Sequence, residues 1–117
     1  MTDVTGFGLL GHLQGICEAS RLGAEIRIDA IPMLRGAAEL AEAGVRSSLF
    51  AENAALLPQI ETTGARSLLF DPQTSGGLLA CVAPEQAEIL LNRLRGAGYR
   101  AAEIGVMGAP GTGIVLR

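Results

Sequence analysis

The chain has 117 residues, 49% of them apolar, and a formal net charge of −3. This length fits one domain; mean hydropathy is +0.36, but no apolar run approaches the roughly 20 residues of a membrane span, so a spanning helix is excluded. All nine basic residues are Arg, scattered from Arg21 to Arg117, which argues against a nucleic-acid surface and excludes a P-loop or Schiff-base lysine within the chain.

The first amphipathic pattern runs from residue 5 to 22, with Leu9, Leu13, Ile16, Cys17 and Ser20 on one face and Gly23 as the stop. Gly8, Gly11 and Gly15 within it each cost a helix about 1 kcal/mol against Ala, so close backbone packing is expected there. The alternation in AEIRID, 24–29, predicts a strand with Glu25, Arg27 and Asp29 on its wet face. Pro32 then fits a first helical turn, followed by Leu34, Ala37, Ala38 and Ala41 on one face until Gly44.

SSLFAENAALLP suggests a short helix capped by Ser47 or Ser48 and ended by Pro58, and ETTGAR reads as loop. SLLFDPQTSGGLLACV holds two apolar pieces around a turn-rich insert, the second piece, Leu78 to Val82, reading as a buried strand. A helix is expected from Pro84, with Ala87, Leu90, Leu91 and Leu94 inward and GAG at 96–98 ending it. YRAAEIGVM and GIVLR read as a hairpin-like pair of strands across GAPGTG. These elements predict an α+β fold with layered helices on a mixed sheet.

Cys17 and Cys81 are far apart in apolar surroundings with no CxxC, and His12 is the sole histidine. Buried reduced thiols are the expectation, a zinc site has too few ligands, and a cytoplasmic location follows, since no signal peptide is evident. His12 has no partner suggested by spacing and reads as a surface or half-buried imidazole. There is no GxSxG or Ser-His-Asp pattern, and GAPGTG lacks the Lys and helix of a phosphate loop.

Of the three aspartates, Asp29 sits on a wet strand face, whereas Asp3 and Asp71 lie in TDVTGFG and DPQTSGG. Thr5, Gly6, Thr74, Ser75, Gly76 and Gly77 in these segments offer hydroxyls and a closely approachable backbone, a setting that suits a phosphate held through magnesium. A structural reading stands beside that one. Asp71 and Pro72 make a good turn opener, Thr5 is a reasonable helix N-cap, and Asp3 favours the helix's positive end.

Taken together, TDVTGFGLLGHL at 2–13 and LLFDPQTSGGLL at 68–79 resemble the two signature stretches of the C-terminal half of selenophosphate synthetase (selenide, water dikinase). IPMLRGAAELAEAG and AEIGVM are similar in type and order, so the resemblance extends over essentially the whole chain. It implies a PurM-like C-terminal domain of the aminoimidazole ribonucleotide synthetase superfamily, within an enzyme that makes selenophosphate, AMP and orthophosphate from ATP, selenide and water. It also implies magnesium bound by Asp3, and a DPQTSGG loop lining the cleft toward an N-terminal ATP-binding, dimerising domain. The family's catalytic Cys or Sec and its essential Lys belong to that N-terminal half; neither Cys17 nor Cys81 matches them.

The resemblance leads to the expectation of a fragment or gene-split half, inactive alone, whose intact form is a homodimer without nucleic-acid or membrane partners. Related synthetases of purine or thiamine biosynthesis and of hydrogenase maturation share this fold. A non-catalytic docking module is the reading from another class.

Overall fold

A computed structural model describes residues 1–117. In chain order the elements are β1 (Thr2–Asp3), α1 (Gly8–Ser20), β2 (Gly23–Ile26), a 3-10 turn (Ile28–Ala30), α2 (Ala37–Glu42) and α3 (Phe50–Ala54). A second 3-10 segment (Gly64–Phe70), β3 (Leu78–Leu79), α4 (Pro84–Gly96), β4 (Gly105–Gly108) and β5 (Ile114–Leu116) complete the chain. Helices with a mixed sheet make this the expected α+β class. No helix is long and apolar enough to cross a membrane.

The chain forms two compact units, one of Met1–Ser20 with Met33–Leu79 and the other of Arg21–Pro32 with Ala80–Arg117. In the first, the segment Gly64–Phe70 is a central element that packs against α1, α2 and α3. Leu10 and Leu13 of α1 are buried with Leu69, Phe70, Ala41 and Leu57. Each fully buried Leu or Phe contributes about 1.5–3 kcal/mol over leaving it in water. The expected loop at ETTGAR therefore gives way, from Gly64 on, to a tight helical turn closed by a Ser67 hydroxyl donating to the Gly64 carbonyl at 2.8 Å. Glu42 holds its start by accepting from the Ala65 N–H at 3.2 Å.

Helix α1 is shorter at both ends than the 5–22 expected. Thr5 to Gly8 forms a turn, with the Gly8 N–H donating to the Thr5 carbonyl at 3.1 Å. At the other end Arg21 takes the left-handed conformation (φ 59) in place of Gly23. Gly23 is used differently: a Cβ there would collide with Thr112 and Gly113, so the glycine admits the turn that precedes β5. The glycines inside α1 also differ. A Cβ on Gly8 would lie 2.7 Å from the Phe70 carbonyl carbon, while one on Gly15 would meet nothing within 4 Å.

Helix α2 begins at Ala37 behind a left-handed Gly36, not at Pro32, and Leu34 is 76% exposed. It ends at Gly44 (φ 85) as the glycine signal implies. The short helix α3 forms before Pro58 as expected, but its N-cap is Leu49, not Ser47 or Ser48, and Ser47 instead accepts from the N–H of Leu49 at 3.1 Å in the turn before the helix. The expected buried strand over Leu78 to Val82 shrinks to β3. Only Leu79 of its pair is buried, because the ladder to β1 is two residues long and leaves Leu78 facing solvent.

The second unit is a three-stranded sheet in the order β4-β2-β5, with β2 antiparallel to β4 and parallel to β5. The last two strands thus do not form a hairpin: β2 lies between them and satisfies both. Gly105, whose Cβ would strike the Glu25 carbonyl, lets β4 approach β2. Arg27 and Glu103 form an ion pair at 3.0 Å across the half-exposed side of this unit, worth at most about 1 kcal/mol. Helix α4 starts on Pro84 and is followed by a left-handed Gly98, as expected. None of its residues is fully buried, however: Ala87, Leu91 and Leu94 are half-buried and Leu90 is exposed. So few residues enclose too little volume to cover a whole helix face. Cys81 is likewise exposed, against expectation, while Cys17 is buried as expected.

Candidate functional site

The two glycine-bearing segments meet in the first unit. Strand pairing opposes Thr2 to Leu79 and Asp3 to Leu78 in antiparallel register. The ladder continues past the strands: the Val4 N–H donates to the Gly77 carbonyl at 2.9 Å, and the Gln73 N–H donates to the Thr5 carbonyl at 3.0 Å. The loop 71–77 is thus folded along Val4 and Thr5. Gly76 makes the approach feasible, since a Cβ there would land on the Val4 carbonyl oxygen.

Beyond Thr5 the backbone offers no further rung. The carbonyls of Gly6 and Phe70 are both acceptors and need a donor between them. Asn53 of α3 supplies it, its Nδ2 donating to Gly6 O at 2.8 Å and to Phe70 O at 2.9 Å. Both partners being acceptors, the amide orientation is unambiguous. Asn53 is 5% exposed, and loss of its two donors would leave the buried Phe70 carbonyl unpaired, at about 1–3 kcal/mol, and would release the more exposed Gly6 carbonyl to water.

Thr5 is held from the other side by His12, one to two helical turns into α1. The Thr5 N–H donates to His12 Nε2 at 3.0 Å, and the Thr5 hydroxyl lies 3.1 Å from the same nitrogen. Accepting an N–H requires Nε2 to be unprotonated, which places the ring proton on Nδ1 in the neutral tautomer. Thr5 is therefore not the helix N-cap that its position suggests. His12 is half-buried, as expected, and its ring stands 5.7 Å from that of Phe7 in a tilted arrangement.

Asp3 is exposed at the start of this ladder and belongs to none of the chain's ion pairs. Gly6, Thr74, Ser75 and Gly77 are exposed; Asp71 and Gly76 are half-buried. Asp71 receives the Gln73 side-chain amide at its own carbonyl (3.2 Å) and at Oδ2 (3.3 Å), so the turn-opening role is met through a side chain. The surface therefore carries one carboxylate, two hydroxyls and glycine backbone, with a second carboxylate engaged locally. No group of three His, Cys, Asp or Glu residues that could hold a metal ion occurs in the chain.

Sequence reasoning assigned no role to Asn53 and gave His12 no partner. Asn53 carried no periodic signal, because α3 has only five residues and its buried partners lie far away in sequence. The His12 contact with Thr5 spans the entry turn of α1, and no side-chain periodicity encodes it.

Residues 1–116 match the family described as AIR synthase related protein, C-terminal domain. Among curated proteins, the chain is 44% identical over 119 residues to the selenide, water dikinase of Rhizobium meliloti, covering 97% of this chain and 34% of that protein. It is 42% identical over 116 residues to the selenide, water dikinase of Carboxydothermus hydrogenoformans, covering 91% and 32%. With that of Cronobacter sakazakii it shares 49% over 88 residues, covering 72% and 25%. The chain spans about a third or less of the length of these relatives. On the match over nearly its full length, the chain belongs to the AIR synthase related protein, C-terminal domain family.

Proposed function

We propose that this chain is the C-terminal part of a cytoplasmic, homodimeric selenide, water dikinase that forms selenophosphate, AMP and orthophosphate from ATP, selenide and water. The observation that carries the reading is the ladder that pairs Asp3 with Leu78, Val4 with Gly77 and Thr5 with Gln73, which lays the segment with the exposed carboxylate alongside the loop that carries the exposed hydroxyls and glycines. A phosphate chain needs such a combination. Asp3 would hold magnesium, which takes only one or two protein carboxylates and fills its shell with water and phosphate oxygens. When bound, the ion would offset charge on those oxygens.

The residues of this chain have separate tasks in that scheme. Asp3 presents an oxygen ligand, Thr74 and Ser75 present hydroxyls that donate to phosphate oxygens, Gly6 and Gly77 keep the approach clear of side chains, and Gly76 seats the loop on Val4. Asp71 orders the start of the loop through Gln73. The nucleophile, the essential lysine and the remaining metal ligands lie in an N-terminal ATP-binding domain whose cleft this loop lines. The chain alone is inactive because a single carboxylate does not organise magnesium.

The test follows ATP by phosphorus NMR with magnesium and selenide under anaerobic reducing conditions. The 117-residue chain is compared with the longer protein that adds an N-terminal half. Selenophosphate from the longer protein only, lost in its Asp3→Asn variant, supports the reading. Selenophosphate from neither turns the assignment to another ATP-dependent synthetase of the superfamily or to a docking module, and production by the chain alone means the catalytic groups are misplaced.

A further inference from the structure

We propose that Asn53 is a positioning residue for this site: by bridging the Gly6 and Phe70 carbonyls it sets the separation between the Asp3-bearing strand and the DPQTSGG loop. The inference rests on the functional reading above for its activity arm. Its structural arm stands independently.

The argument is one of donors and acceptors. Two backbone bonds, Val4 to Gly77 and Gln73 to Thr5, hold the segments together at the Asp3 end. At the far end the chains diverge into α1 and into the Gly64–Phe70 turn, and two carbonyls face the gap. A single nitrogen carrying two hydrogens can satisfy both. A carboxylate of the same shape cannot, because it has only acceptors; a serine hydroxyl can satisfy only one. The nearer carbonyl, Gly6, is three residues from Asp3, and the farther, Phe70, adjoins Asp71. A shift at this bridge is therefore passed to both sides of the proposed phosphate surface through very short, hydrogen-bonded segments.

Asn53 is itself buried within the first unit and reaches the proposed surface only through the backbone carbonyl of Gly6. Its removal should leave the ligands present but loosely spaced. Misplacement of reacting groups by about 1 Å lowers rates by about a hundredfold. The signature is then a fall in kcat together with a higher magnesium requirement.

The experiment uses the longer enzyme, wild type and Asn53→Asp, with circular dichroism to establish the folded fraction. Amide hydrogen exchange at Val4 and Gln73 reads the bridge directly, and AMP formation against magnesium concentration reads the site. The expected result is faster exchange at both amides, kcat lowered about ten- to a hundredfold and a several-fold higher half-saturating magnesium concentration, in a folded protein. Unchanged exchange at both amides overturns the inference. So does a loss of activity that only tracks the folded fraction with magnesium dependence unchanged. If Asn53→Asp does not fold, Asn53→Ser, which keeps one donor, is read by the same criteria. Should the wild-type enzyme make no selenophosphate, the functional reading fails, and amide exchange still decides whether Asn53 joins the two segments.

Discussion

Replacing Gly8 by Ala tests the packing that places the first motif against the core. Gly8 has φ 70, and a Cβ there would sit 2.7 Å from Phe70 C and 2.9 Å from Leu69 O and Phe70 Cα. All three are backbone atoms, so no rotamer change relieves the overlap. The left-handed conformation costs an L-residue about 1–2 kcal/mol, and overpacking a close-packed site costs about 1–3 kcal/mol. Together they predict a loss of about 2–5 kcal/mol, partly offset by the lower unfolded-state entropy of Ala. At about 4 °C per kcal/mol for a chain of this size, thermal unfolding followed by circular dichroism should fall by about 8–20 °C. Gly15→Ala is the internal control. It lies in the same helix with nothing within 4 Å of the added methyl, so the gain in helix propensity of up to about 1 kcal/mol should raise the midpoint by a few degrees. A Gly8→Ala protein melting within 2 °C of the parent (~0.5 kcal/mol on that scale) would refute the close approach of residues 69–70 to the helix start.

Gly76→Ala should displace the loop from Val4, whose carbonyl oxygen occupies the position of the new methyl; faster exchange of the Val4 amide at a cost of about 1–3 kcal/mol is expected, and unchanged exchange would contradict it. His12→Ala removes the acceptor for the Thr5 N–H and should destabilise by about 1 kcal/mol in a denaturant titration, whereas His12→Asn, which retains an acceptor, should lose less. Thiol titration should modify Cys81 rapidly and Cys17 only on unfolding, since the first is exposed and the second buried; equal rates would show that α1 is not packed as described. In the longer enzyme, Thr74→Val with Ser75→Ala should lower turnover without a change in melting temperature, because both side chains are exposed; unchanged turnover would make the loop structural only.

Much of this protein was legible in local patterns. Periodicity and punctuation located α1 and α4 to within a few residues. Gly44 and Gly98 closed helices in the left-handed conformation their positions suggested, and the alternation in AEIRID marked β2, although the strand stops at Ile26 and Asp29 lies in the 3-10 turn Ile28–Ala30, not on a strand face. The two motif segments, and through them the family, were evident in the sequence because short-range residue order carries them. These are properties of neighbouring residues: backbone conformational preferences, capping and amphipathic faces act over a few positions.

The tertiary structure decided what depends on distant partners. β2 entered between β4 and β5 because glycines at 23 and 105 admit close backbone approach from both sides, an outcome that a hairpin reading of the C-terminal residues misses. The stretch Gly64–Phe70 became the centre of the first unit because α1, α2 and α3 all bury apolar surface on it. Asn53 and His12 acquired their roles in the same way: each completes a hydrogen bond that backbone groups cannot complete themselves. Sequence spacing names the residues of the site, but a buried donor is assigned only when the fold brings its acceptors within reach.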